Sequence, residues 1–137
     1  MAEDNIVNQK LAFYILEKHG HLVTGATNGQ EALAALEKGI FDVILMDVQM
    51  PVMNGFEATA VIREKEKASG SHIPIIAMTA HAMDSDRDKC LQAGMDDYIT
   101  KPLKADRLLN MIERVVSKVK KIHSKESTYR EYEYSKR

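Results

Sequence analysis

One cysteine, Cys90, stands in 137 residues. A lone thiol excludes an internal disulfide framework, and no Cys/His cluster has zinc-site spacing; a reducing compartment fits. An excess of one charge sign is also lacking. The chain carries 19 Lys and Arg against 20 Asp and Glu, a formal net of −1, without the basic excess of a dedicated nucleic-acid binder. Long apolar runs are missing too. The longest span a few residues, as in Val43–Met46, too short to cross a membrane, and Met1–Asp4 form no signal peptide. These absences lead us to expect a cytoplasmic protein with no nucleic-acid partner and no membrane contact of its own. What is present is 45% hydrophobic and 28% charged, enough apolar material for a core, in a length that suits one domain.

Charge is unevenly placed. Ser117–Arg137 carries a net of +4 and three of the five tyrosines, leaving −5 on residues 1–116. We expect a folded domain over 1–120 and a basic, flexible tail over 121–137.

Two hydrophobic textures alternate along the body. Val7, Leu11, Ile15 and Leu16 recur at helical spacing before Gly20. Leu22–Ala26 is a short strand. Gln30–Lys38 is a helix between Asn28 and Gly39. Phe41–Met46 and Ile73–Met78 are short, predominantly apolar runs, read as strands buried on both faces. Phe56–Lys67 and Asp84–Ala93 are helices closed by Gly70 and Gly94. Tyr98–Thr100 is a strand, and Ala105–Val119 is the last helix. This alternation predicts an α/β fold, a parallel sheet with helices on both faces.

The polar residues of interest follow the strands. Asp47, Thr79 and Lys101 each come directly after one, and Glu3 and Asp4 stand where a first strand should end. In open α/β sheets, ligands bind outside the carboxyl ends of the strands, so these residues converge on one rim. Three carboxylates, Glu3, Asp4 and Asp47, repel one another unless a cation joins them. A hard divalent ion, Mg²⁺ above all, meets that need. Lys101 brings a compact positive charge for a phosphoryl group and Thr79 a hydroxyl donor. An aspartate can serve as nucleophile toward phosphorus. Singly, each residue has a plainer reading: Asp47 a turn residue, Glu3-Asp4-Asn5 a helix cap, Thr79 a strand-end hydroxyl, Lys101 a loop residue, Tyr98 packing. The joint placement favours the phosphoryl site.

Four segments then carry a resemblance: Ala2-Glu3-Asp4-Asn5, Ile44–Gly55 with its Asp-Val-Gln-Met-Pro-Val-Met-Asn-Gly run, Ala77-Met78-Thr79-Ala80, and Asp96–Pro102. In this order, over about residues 2–116, the sequence resembles a response-regulator receiver domain, and looks most like receivers of hybrid sensor histidine kinases. The resemblance implies a flavodoxin-like three-layer sandwich with strand order 2-1-3-4-5. It implies that Asp47 accepts a phosphoryl group from a phosphohistidine on a histidine kinase or histidine phosphotransfer domain. It further implies that Asp4 and Asp47 bind Mg²⁺ directly, Glu3 through water, and Gln49 by its backbone carbonyl. Lys101 and Thr79 would contact the phosphoryl oxygens, and Tyr98 would turn inward as the switch. Gln49 and His81 match positions that tune phosphate loss, and the Lys101–Pro102 bond is expected to be cis. A homodimer is compatible with the pattern.

One part of that pattern is missing. Only Met1 and Ala2 precede Glu3, where the family has a full apolar strand in the middle of the sheet. Truncation from a longer hybrid kinase or regulator is the favoured account. Strand donation by another copy or partner, and substitution by Thr128–Tyr134, stay open, the last handicapped by its charges. Two rival functions complete the expectations. An aspartate-nucleophile phosphohydrolase would need an acid two residues after Asp47, where Gln49 stands. A receiver that only binds partners would lack the acceptor chemistry.

Overall fold

The computed structural model describes residues 1–3, 6–48, 50, 52–80, 84–101, 103–123 and 133–135. In chain order the elements are α1 (Ile6–Lys18), β1 (Leu22–Thr24), α2 (Gly29–Lys38), β2 (Ile44–Asp47), α3 (Gly55–Ser69), β3 (Ile75–Thr79), α4 (Asp84–Gln92), β4 (Asp97–Thr100), α5 (Ala105–His123) and β5 (Glu133–Ser135). The expected helices and strands are all present, with ends moved by a few residues. Asp47 and Thr79 are the last residues of their strands rather than the first beyond them.

Local chemistry sets the helix starts. Asn28 caps α2, its side chain accepting from the Glu31 N–H at 2.9 Å, while the Glu31 carboxylate accepts from Thr27 N–H at 2.8 Å. Asn54 and Glu57 form a reciprocal capping box on α3, at 2.9 and 3.0 Å. Both arrangements satisfy amide donors that the first helical turn leaves free. At the other end of α3, Gly70 takes φ 76° and donates its N–H to Glu66 O at 2.8 Å, a left-handed stop that glycine adopts without strain.

Strands β2, β3 and β4 pair in parallel, with Ile44 beside Ile75 and Ala77 beside Tyr98. Every residue of β2 and β3 is buried, as expected of a parallel sheet covered on both faces. Alternate side chains divide between two cores. Leu45, Ile76, Met78 and Ile99 pack with Ala12, Ile15 and Leu16 of α1 and with Leu108, Ile112, Val115 and Val116 of α5. Ile44, Met46, Ile75 and Ala77 pack with Ala32 of α2, Ala58 and Ile62 of α3, and Cys90 of α4. Helices on both faces of a parallel sheet make this the flavodoxin-like α/β sandwich.

The middle of the sheet is where the first strand was expected to be short or missing. β1 does not pair with β2. Between them runs a row made of two pieces. Ala2 bridges in parallel to both Ala26 and Met46, while Glu133–Ser135 pair in parallel with Leu22–Thr24. The expected order 2-1-3-4-5 therefore reads here as β1, the row of β5 with Met1–Glu3, then β2, β3 and β4. Substitution by the tail, the alternative handicapped by its charges, is the arrangement observed. The paired residues are 133–135, overlapping the end of the Thr128–Tyr134 stretch. Backbone hydrogen bonding at the centre outweighs the side-chain pattern there. Helix α5 runs on to His123, and β5 pairs with β1.

Two positions in the turn after β2 test how tightly the rim is built. A Cβ on Gly55 would meet the Asp47 carbonyl oxygen and Val48 Cα inside van der Waals distance. Gly55→Ala is expected to cost about 1–3 kcal/mol by overpacking. Val52, an exposed β-branched residue, sits at φ 67°, a conformation that costs an L-residue about 1–2 kcal/mol. Val52→Asn is expected to recover about 1 kcal/mol, because asparagine tolerates that region. Urea titration of both variants against the native chain measures the two shifts.

Candidate functional site

The ladder carries its chemistry to one end. Beyond the paired strands, Val48 N–H donates to Met78 O at 3.1 Å and Lys101 N–H to Thr79 O at 2.8 Å. These bonds hold Asp47, Thr79 and Lys101 at the same carboxyl rim. On the other side of β2, Ala2 N–H donates to Leu45 O at 2.8 Å and Asp47 N–H to Ala2 O at 2.9 Å. Glu3, the next residue, is thereby delivered beside Asp47. Its own N–H donates to Ala26 O at 2.9 Å.

At the centre is an ammonium shared by two carboxylates. Lys101 Nζ lies 2.9 Å from Asp47 Oδ2 and 3.0 Å from Glu3 Oε1. Glu3 is 1% exposed and Asp47 3%, so both charges have given up most of their hydration. Burial alone would lower the Lys101 pKa. Hydrogen bonds and charge from Asp47 and Glu3 outweigh it, and the ammonium is held above the ordinary lysine value. Lys101 is therefore cationic at neutral pH. Thr79 is also buried, at the end of the strand between those carrying Asp47 and Lys101.

The rim thus brings together four of the expected residues: Glu3, Asp47, Thr79 and Lys101. Tyr98 lies one strand further out and is partly buried against the core on the α2–α4 face. Its position serves packing as it stands. Asp4, Gln49, His81 and Pro102 lie outside the described residues. Among the described residues no group of three or more His, Cys, Asp or Glu side chains is assembled to hold a metal. The donor chemistry nevertheless fits a hard cation. Two buried carboxylates converge on one point, all their donors are oxygens, and Asp4 adjoins Glu3 in sequence. Sequence reading passed over Gly55. Its missing Cβ lets the start of α3 lie against the Asp47 carbonyl, and the signal was an Asn-Gly pair opening a helix shortly after the acidic strand end.

Comparison with known proteins agrees with this geometry. The family model described as "Response regulator receiver domain" matches residues 1–113. The hybrid signal transduction histidine kinase I of Dictyostelium discoideum is 44% identical over 136 residues, covering 96% of this chain and 8% of that protein. This chain thus spans a small part of the curated relatives it matches. The receiver domain of sensor histidine kinase PA1611 from Pseudomonas aeruginosa, solved with a magnesium ion coordinated in its active-site cleft, is 41% identical. It superposes with a TM-score of 0.76, covering 85% of this chain and 93% of that one. The receiver domain of Ssk1, solved in complex with the Saccharomyces cerevisiae histidine phosphotransfer protein Ypd1, is 32% identical with a TM-score of 0.77, covering 92% and 90%. With its fold, its acidic rim and a family match over most of its length, the chain belongs to the response regulator receiver domain family.

Proposed function

We propose that Asp47 is the phosphoacceptor of this receiver and that its donor is a phosphohistidine on a histidine kinase or histidine phosphotransfer domain. The observation that carries the reading is the Lys101 ammonium 2.9 Å from Asp47 Oδ2, with Thr79 on the adjoining strand end. A carboxylate oxygen of Asp47 forms the new bond to phosphorus. The P–N bond breaks, and the imidazole leaves with its electron pair. Such a transfer asks mainly for positioning and for charge to meet the phosphoryl oxygens. Lys101 supplies a fixed cation and Thr79 a hydroxyl donor. Glu3, Asp4, Asp47 and the Gln49 carbonyl would hold Mg²⁺, which neutralises phosphoryl oxygens when bound. Once Asp47 carries the phosphoryl group, Lys101 and Thr79 have a new anion to engage, and Tyr98 is the side chain we assign to the resulting switch. Self-dephosphorylation is slow in this reading, and the chain acts in the cytoplasm as part of a hybrid kinase or as its partner.

The donor's approach is set by α1. Gln9 Nε2 donates to Glu3 O at 3.3 Å and Ala26 O at 3.2 Å, fixing the start of α1 beside the rim. Val7, Leu11 and Tyr14 are exposed along that helix at four- and three-residue spacing, a one-sided apolar stripe suited to a helical partner.

Three outcomes follow. Incubated with acetyl phosphate and Mg²⁺, the native chain is expected to gain one phosphoryl group by intact mass. Asp47→Asn, or omission of Mg²⁺, should abolish the gain; normal uptake by Asp47→Asn would overturn the assignment, and turnover of a small phosphate ester would favour a hydrolase. Leu11→Glu is expected to slow transfer from a phosphorylated histidine phosphotransfer domain at least roughly tenfold, as loss of an interface anchor does, while leaving labelling by acetyl phosphate unchanged. Lys101→Met leaves two buried carboxylates without their cation and is expected to cost about 3 kcal/mol at pH 7 by urea titration. Because Lys101 is held above the ordinary lysine value, the native chain's advantage should persist from neutral pH into the alkaline range and shrink there as pH rises through the folded-state pKa.

A further inference from the structure

Taking Asp47 as the acceptor, we infer that Asp96 is a positioning residue for that site. Seated by Arg63, it anchors the entry of β4 to the entry of β3 and so sets where Lys101 emerges at the far end. Asp96 immediately precedes β4. Its N–H donates to Ile75 O at 2.8 Å, and its Oδ2 accepts from the Ile75 N–H at 2.8 Å. One residue thus holds both backbone groups of the first residue of β3. The same Oδ2 accepts from Arg63 Nη2 at 2.8 Å, and Oδ1 lies 2.7 Å from His72 Nε2. Arg63 also donates to Gly94 O at 2.8 Å and Ile73 O at 2.9 Å, so the loops into both strands are tied to α3. Gly94 makes room for this. It sits at φ 103°, and a Cβ there would meet Arg63 Cγ at 3.0 Å.

Strand β4 needs such an anchor. β2 and β3 are buried throughout, whereas β4 is fully buried only at Ile99. Among the described strands it pairs with β3 alone. A single buried side chain fixes a strand at one point and leaves its tilt weakly specified. Asp96 supplies a second point, five residues before Lys101. The ladder between them is short: Asp97 to Thr100 lie opposite Ile76 to Thr79, closed by the Lys101 N–H on Thr79 O at 2.8 Å. At its end Lys101 Nζ must meet Asp47 Oδ2 at 2.9 Å. A displacement of about 1 Å at a reacting centre is enough to cost much of a rate. A carboxylate that takes a backbone N–H and a guanidinium together is a firm anchor, because hydrogen bonds to charged groups are the stronger ones.

Asp96→Ala in the full chain tests the role by two readouts. Amide-exchange protection of the Lys101 N–H is expected to fall about tenfold, while that of the Asp47 N–H, bonded on the other side of β2, is retained. Labelling by acetyl phosphate with Mg²⁺ is expected to slow roughly tenfold. Asp96→Asn keeps an acceptor for the Ile75 N–H but offers Arg63 no charge. It is expected to show both effects at smaller size, and it stands in if Asp96→Ala does not fold. Ile112→Val, which thins the core under α5 without touching Asp96, is expected to label at the native rate. Equal loss of protection at Lys101 and Asp47, native labelling by the Asp96 variants, or equal slowing by Ile112→Val would each overturn the positioning role. A native chain that takes up no phosphoryl group would instead overturn the acceptor reading, and the exchange comparison would still decide whether Asp96 holds β4.

Discussion

A single ammonium between two buried carboxylates is the constraint around which the rim is organised. Lys101 is held 2.9 Å from Asp47 and 3.0 Å from Glu3. Neither acid has enough water left to bear its charge alone. The three residues are delivered from three places in the chain: a strand end, the turn after β4, and the first few residues. Parallel pairing puts all of them at the same end of the sheet. The hydrophobic faces of β2 and β3 therefore serve the chemistry indirectly. They fix the register, and the register fixes which side chain emerges at the rim.

The opposite end of the sheet is built on a different principle. Arg63 donates to Gly94 O at 2.8 Å and Ile73 O at 2.9 Å, and pairs with Glu66 at 2.7 Å and Asp96 at 2.8 Å. Asp96 accepts from the Ile75 N–H, and Glu66 from the Ile73 N–H. Here one planar cation also meets two carboxylates, but the Ile73 and Ile75 N–H groups and the His72 ring engage those carboxylates as well, so the cluster is tied together by hydrogen bonds within the chain. At the acceptor rim a lysine faces two carboxylates, and the local charge stays negative. One end ties down the loops that enter the strands. The other keeps the capacity to take a cation and an anion, as a switch driven by local charge requires.

Much of this was legible in the sequence because the signals were local. The predominantly apolar runs at Phe41–Met46 and Ile73–Met78 read as strands covered on both faces, and the Asn54-x-x-Glu57 box and Gly70 bracket α3. Asp47, Thr79 and Lys101 were visible because each terminates such a run. The middle row was not legible, because no run of β-branched residues marks it. Its pairing is a matter of backbone groups seeking partners across the gap between β1 and β2, and composition argued against the segment that fills it. The conformation of Val52 was equally hidden, since a valine at positive φ contradicts its own local preference.

That conflict at Val52 bears on how the site is held. The turn from Asp47 to α3 must reverse the chain within a few residues and start a helix against the Asp47 carbonyl. Gly55 makes the close approach sterically free, and the Asn54–Glu57 box secures the helix start. With both ends of the turn fixed, its middle absorbs the remaining geometry, and Val52 takes the left-handed conformation. Strain of this kind persists only where the surroundings over-determine the backbone. Here the surroundings are the buried end of β2 on one side and a capped helix on the other. The acceptor carboxylate is thus positioned from both directions along the chain, by the sheet behind it and by the helix in front, while Lys101 and Glu3 hold it laterally.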